Sequence, residues 1–170
     1  MTGNNPYTAL FLCTGNSARS ILGEAILNHL GEGRFLACSA GSQPTGKVNH
    51  YAIELLESLD YPLEGLRSKS WHEFTGPNAP AIDFIFTVCD NAAQESCPIW
   101  PGHPMTVHWG IPDPAAVEGT DADKRQAFAD AYDTLSNRIE AFIGLLITSP
   151  DKIELHHQLR KIGQTLPDSA

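Results

Sequence analysis

Apolar runs of strand length alternate along this chain with segments of helical spacing, and no other feature restricts its fold as much. Residues 7 to 12, YTALFL, form a short apolar run that ends at Cys13, as a strand buried in a parallel sheet does. After a loop of small and polar residues, Ile21, Leu22, Ala25, Ile26 and Leu30 recur at helical spacing from Arg19 onward, and Gly31 is placed to stop the helix. FLACSAG at 35 to 41 predicts a second strand. NHYAIELLESLDYP then predicts a helix with Ala52, Leu55, Leu56 and Leu59 on one face, which Pro62 forbids from continuing. IDFIFTV at 82 to 88, ending at Cys89, and MTVHW at 105 to 109 predict the third and fourth strands. A long helix is predicted from Asp121 to Leu146, with Phe128, Tyr132, Leu135, Ile139, Phe142 and Leu146 on one face. A final helix follows Ser149 as cap and Pro150 at its first position.

Strands alternating with helices imply right-handed βαβ crossovers and an α/β fold: one three-layer domain, with a four-stranded, mostly parallel open sheet and helices on both faces. Residues 1–146 are expected to form that domain and residues 147–170 a C-terminal helical extension. The length of 170 residues suits a single core. Ligands of such sheets bind at the carboxyl ends of the strands, where Cys13 and Cys89 are both predicted to sit. Their separation is left open by the spacing.

The net charge of −9 repels nucleic acid and anionic membranes at long range, so an anionic substrate needs a local positive site. No stretch approaches the roughly 18 apolar residues of a membrane span, and MTGNNPYTALFLC has no basic segment ahead of a long apolar one, so a cytoplasmic protein is expected. In that compartment Cys13, Cys38, Cys89 and Cys97 are expected to be catalytic, redox-active or packed rather than a disulfide framework. Scattered histidines, with no C-x2-C pair and no H-E-x-x-H, give no reason to expect a metal.

The loop between the first strand and first helix, CTGNSARS, carries the chemistry. A helix start presents free N–H groups and a positive dipole end, which favour both an oxyanion and a thiolate. Cys13 is therefore expected to be ionised near neutral pH and to act as a nucleophile. Gly15 lets successive N–H groups turn inward, Asn16 tolerates a left-handed conformation, and Arg19 offers a planar fork to two oxygens. Ser17 and Ser20 add hydroxyls within reach of the thiolate. Thr14, Gly15, Asn16, Ser17, Ala18, Arg19 and Ser20 are thus the expected oxyanion-binding residues.

FLCTGNSARS resembles the anion loop of the low-molecular-weight protein tyrosine phosphatase fold in its arsenate reductase branch. SAGS at 39 to 42, GLRSKSW at 65 to 71, FTVCDNA at 86 to 92 and HWGIPDPA at 108 to 115 resemble the same branch in order and spacing, so the likeness covers about residues 7 to 146. It implies Cys13 as nucleophile, Arg19 as oxyanion clamp, Asn16 and Ser20 as loop organisers, and Asp113 as the acid that protonates a departing oxygen. Asp113-Pro114 also reads as a simple turn starter. Two departures are plain: Ala18 stands where many members have a cysteine, and Ala115-Ala116 replaces the aromatic residues with which phosphatases of this fold grip a phosphotyrosine ring. Small oxyanions such as arsenate, phosphate or sulfate fit better.

A thioredoxin-linked arsenate reductase further implies a disulfide relay through Cys13, Cys89 and Cys97, with no tightly bound cofactor and with thioredoxin, or glutaredoxin and glutathione, as electron donor. The seven residues between Cys89 and Cys97 are one more than the best-known spacing. Cys38, within the second strand, is expected to pack in the core. The alternative is a phosphatase, protein tyrosine or small-molecule, using Cys13, Arg19 and Asp113, with Cys89 and Cys97 incidental.

Overall fold

The structure is a computed structural model that describes residues 6–89, 100, 104–148 and 151–164. Four strands, β1 (Tyr7–Leu12), β2 (Phe35–Ala40), β3 (Phe84–Thr87) and β4 (Met105–His108), form one sheet in the order β2-β1-β3-β4. Every pairing is parallel. The helices are α1 (Arg19–Leu30), α2 (His50–Ser58), α3 (Asp121–Thr148) and α4 (Lys152–Gly163), with short 3₁₀ turns at Trp71–Phe74 and Pro114–Ala116.

Side chains alternate across the pleat, so the central strands feed two cores. On one face Ala9, Phe11, Phe84, Phe86 and Val107 pack with apolar residues of all four α-helices. There Phe86 stacks on Trp109 with ring centroids 4.1 Å apart and on Phe11 at 5.3 Å. Burying each such phenylalanine contributes roughly 1.5–3 kcal/mol. On the other face Leu10, Leu12 and Ile85 meet Trp71 and Phe74 of the first 3₁₀ turn, together with Ile82 and Trp100. Cys38 packs against this second, smaller cluster.

Several boundaries differ from the sequence reading; β2 and β4 each end one residue earlier and the long helix runs on to Thr148. α2 ends at Ser58, well before Pro62, because Leu59 is its C-cap and Asp60 turns the chain with φ +62°. β3 is shorter than 82–88, although Asp83 and Val88 still donate to the carbonyls of Thr8 and Leu12. The cap of α4 is Asp151, whose carboxylate accepts from Glu154 N at 2.8 Å; Ser149 and Pro150 lie outside the described residues. This pattern is the favourable one, an acidic side chain at the positive end of a helix.

The parallel register pairs Leu12 with Thr87. Cys13 and Cys89 therefore leave neighbouring strands at the same carboxyl edge, where the α1 N-terminus also begins.

Candidate functional site: an anion loop with two facing thiols

The loop 13–18 is held from outside by its own carbonyls. Thr14 O accepts from Gln43 N at 2.9 Å, Gly15 O from Thr45 N at 3.0 Å and from Ser68 Oγ at 3.2 Å, and Ser17 O from Asn49 N at 2.8 Å. With the carbonyls committed outward, the N–H groups are left to the inside; among the described residues none of those from Asn16 to Ser20 has a partner. The N-cap of α1 is Ala18, with no capping side chain, so among the described residues no side chain caps the positive end of this helix. Asn16 is wholly buried at φ +46°. Its Nδ2 donates to Ser20 Oγ and its Oδ1 accepts from Lys69 N, each at 2.8 Å. The Ser20 hydroxyl is thus engaged as an acceptor within the loop rather than aimed only at the thiolate. Gly41 supports the loop by close approach: a Cβ there would lie 2.6 Å from Cys13 O and collide with Thr14 O as well.

Cys13 and Cys89 are both buried and unbridged, and the Cys89 sulfur lies against the loop residue next to Cys13. Thr14 N also donates to Cys89 Sγ at 3.4 Å, with Thr14 Oγ1 3.7 Å from the same sulfur. The hydrogen bond to Cys89, followed by burial, pushes the Cys13 thiol well above its ordinary value, and the opposing Arg19 guanidinium and Gly15 N–H do not overcome them. This direction opposes the ionisation that the helix start and Arg19 favour. Cys97 lies outside the described residues.

Arg19, at the start of α1, reaches across to the loop that follows β4. Its Nη1 donates to Ile111 O at 3.0 Å and its Nη2 lies 3.6 Å from Asp113 Oδ2, while its buried Nε has no partner among the described residues. Asp113 does start a turn, since its Oδ1 accepts from Ala115 N at 2.9 Å at the head of the second 3₁₀ turn. The same carboxylate faces the arginine with its other oxygen. Ala115 and Ala116 are exposed. Cys13, Arg19, Asp113 and Cys89 therefore converge at one edge of the sheet.

The sequence reading missed what lies beneath the loop. Lys69, only 7% exposed, sets its ammonium 3.8 Å from Glu24 Oε1 and donates to Arg67 O at 3.0 Å. Ser39 Oγ donates to the same Glu24 oxygen at 2.6 Å. Burial pushes the Glu24 carboxyl above its ordinary value, opposed by the Ser39 hydroxyl and the Lys69 ammonium. The only hint in the sequence was that SAGS and GLRSKSW belong to the resembling segments.

The described residues contain no helix long and apolar enough to cross a membrane. A family model described as low molecular weight phosphotyrosine protein phosphatase matches residues 8–158. An arsenate reductase of Shouchella clausii is 34% identical over 132 residues, covering 78% of this chain and 91% of the relative. The arsenate reductase of Bacillus subtilis is 33% identical over 133 residues, with the same coverage. Among solved structures, the Corynebacterium glutamicum thioredoxin-dependent arsenate reductase superposes with a TM-score of 0.63 at 18% identity, over 88% of this chain and 66% of that one. The tyrosine phosphatase Wzb of Escherichia coli K30, in complex with sulphate, gives 0.64 at 24% identity over 82% and 97%. The fold, the loop and these likenesses agree: the chain belongs to the low molecular weight phosphotyrosine protein phosphatase family.

Proposed function

We propose that this protein is an arsenate reductase that converts arsenate to arsenite through a Cys13 adduct and a disulfide relay, working on small oxyanions in a reducing cytoplasm. The observation that carries this reading is a second buried thiol, Cys89, set against the anion loop with Thr14 N donating to its sulfur at 3.4 Å. A phosphatase has water to regenerate its nucleophile and needs no second thiol there. Relatives named arsenate reductase at 33–34% identity support the same choice.

Arsenate enters the ring of inward N–H groups, and Arg19 Nε, buried and unpaired, gains an acceptor. Relieving such an orphan donor is worth about 1–3 kcal/mol. Cys13 Sγ bonds to arsenic while its proton passes to an arsenate oxygen. One As–O bond breaks, and Asp113 protonates the departing hydroxyl so that it leaves as water. Cys89 then attacks Cys13 Sγ, its proton passing to an arsenic-bound oxygen; the S–As bond breaks, its electron pair stays on arsenic, and arsenite departs. Two electrons have moved from sulfur to arsenic, leaving a Cys13–Cys89 disulfide. Cys97 attacks Cys89 Sγ, frees Cys13, and hands a Cys89–Cys97 disulfide to the dithiol of thioredoxin. Exposed Ala115 and Ala116 leave no aromatic clamp for a phosphotyrosine ring.

The test is turnover of pre-reduced variants with thioredoxin and glutaredoxin systems supplied separately. Cys97→Ser is expected to release one equivalent of arsenite and stop, with Cys13 and Cys89 recovered as a linked peptide pair under non-reducing digestion. Cys89→Ser is expected to stall at the adduct. Repeated turnover of Cys89→Ser with thioredoxin alone would overturn the relay.

A further inference from the structure

We propose that Arg138 of α3 and the C-terminal helix α4 are positioning elements for Asp113, gripping the segment 109–112 that carries it; the inference rests on the general-acid role given to Asp113 above.

Three consecutive carbonyls ahead of Asp113 accept from guanidinium groups. Arg138 Nη1 donates to Trp109 O at 3.1 Å and lies 3.3 Å from Gly110 O, and Arg19 Nη1 donates to Ile111 O at 3.0 Å. Arg138 is only 3% exposed, and a guanidinium so deep in a fold is retained where its fixed fork has geometry to impose. Arg19 approaches from the anion loop, whereas Arg138 approaches from α3. The segment is thereby held between the arginine of the anion loop and the arginine of α3.

α4 supplies the second grip. The indole N–H of Trp109 donates to Leu159 O at 2.9 Å, and Trp109 is wholly buried. Gly163, the last residue of α4, sits so close that a Cβ there would lie 2.6 Å from Trp109 Cδ1 and 2.7 Å from His108 O. Main-chain bonds to β3 end at Ile111, whose N donates to Val88 O at 3.2 Å. Beyond that point a cavity of about 760 Å³ opens between the acid segment and α3, lined by Pro112, Asp113, Val117, Ala131 and Asn137 among others. Packing is therefore incomplete on that side of Asp113. Its placement depends on the anchors just upstream, and a misplacement of about 1 Å can cost on the order of 100-fold in rate.

The experiment compares Arg138→Met, Arg138→Lys and Gly163→Ala with Asp113→Asn in the full chain, by the single-turnover rate of arsenite release and by inhibition with inorganic phosphate. Arg138→Met is expected to slow arsenite release about 10-fold or more and to leave phosphate inhibition within about twofold, because the anion loop is untouched. Arg138→Lys should recover part of the rate, and Gly163→Ala should reproduce the loss without altering any charge. The deciding readout is the Asp113→Asn/Arg138→Met double variant, expected to be no slower than Asp113→Asn, since a misplaced acid and an absent one are the same defect. Multiplied losses, or loss of phosphate binding in step with rate, would overturn the positioning role and leave Arg138 as fold support. If Asp113→Asn itself keeps the full rate, the general-acid reading fails first. A slow Asp113→Asn beside unimpaired Arg138→Met and Gly163→Ala defeats this inference alone.

Discussion

The anion loop and the acid segment meet at Arg19 but are built on opposite terms. In the loop the polar groups are largely engaged by the surrounding protein: the carbonyls of Thr14, Gly15 and Ser17 are each taken from outside, and buried Asn16 uses both ends of its amide. The acid segment is half-exposed at Asp113 and borders a cavity. A cradle for a tetrahedral anion gains from rigidity, because ordered N–H groups then cost nothing to align. An acid that meets an oxygen only as it departs needs access to solvent to recover its proton. The two regions therefore divide binding from proton delivery, and perturbing each should damage one quantity and spare the other.

The largest effect is expected at the acid. Asp113→Asn keeps the turn, because an amide oxygen can still accept from Ala115 N, but it has no proton to give. Arsenite release should slow by about 10²–10⁴-fold. Phosphate inhibition should hold or tighten slightly, since a carboxylate beside the bound anion is gone. A comparable loss in phosphate affinity would break the division, because Asp113 would then be holding Arg19 rather than delivering a proton.

A smaller effect, of the opposite kind, is expected at Asn16. Asn16→Ala removes the acceptor for Lys69 N and the donor to Ser20, and it puts an alanine at φ +46°. Leaving a buried group unpaired costs about 1–3 kcal/mol, and the left-handed conformation adds about 1 kcal/mol. The midpoint of chemical denaturation should fall accordingly, and phosphate should bind more weakly. Asn16→Gly sharpens the point, for it restores the conformation but not the hydrogen bonds. If the glycine variant binds phosphate as the native protein does, the amide network is dispensable and the loop is held by its carbonyls alone.

These two regions also differ in how far they could be read from the chain. The loop was legible because its chemistry is contiguous: strand end, Cys13, Gly15, Asn16, Arg19 and helix start follow one another, and each satisfies the same demand for an anion. The strands were legible for a similar reason, their apolar runs being short and bounded, with ends off by a residue or two where a ladder partner stops. Lys69, Glu24 and Arg138 were not legible, because a buried charge is explained only by what it meets. Lys69 meets Asn16 across 53 positions and Arg138 meets Trp109 across 29. The upward push on the Cys13 thiol was hidden for the same cause. Helix start and arginine are local and argue for ionisation, but the opposing contact comes from Cys89 on another strand.

That contact yields the smallest and most specific effect. Donation of the Cys13 S–H to Cys89 is the first cause of the raised Cys13 thiol, with burial second and Arg19 acting against both. Cys89→Ala removes the first and leaves the rest, so Cys13 should ionise at lower pH. The readout is the rate of iodoacetamide labelling at Cys13 against pH, followed by mass spectrometry; the profile of the variant should lie to the acid side of the native one. Cys38 is an internal reference, because burial and the nearby Glu24 carboxylate push it up to about 11 and the substitution does not touch it. Stability should move in step. A thiol raised in the fold contributes stability that is fully present below its ordinary value of 9.0 and is lost as pH rises beyond it. The native protein should therefore lose thermal stability above about pH 9 more steeply than Cys89→Ala does. Coincident labelling profiles would mean that Cys89 does not hold the Cys13 proton, and the anion loop would then set its nucleophile unaided, as its local sequence alone suggests.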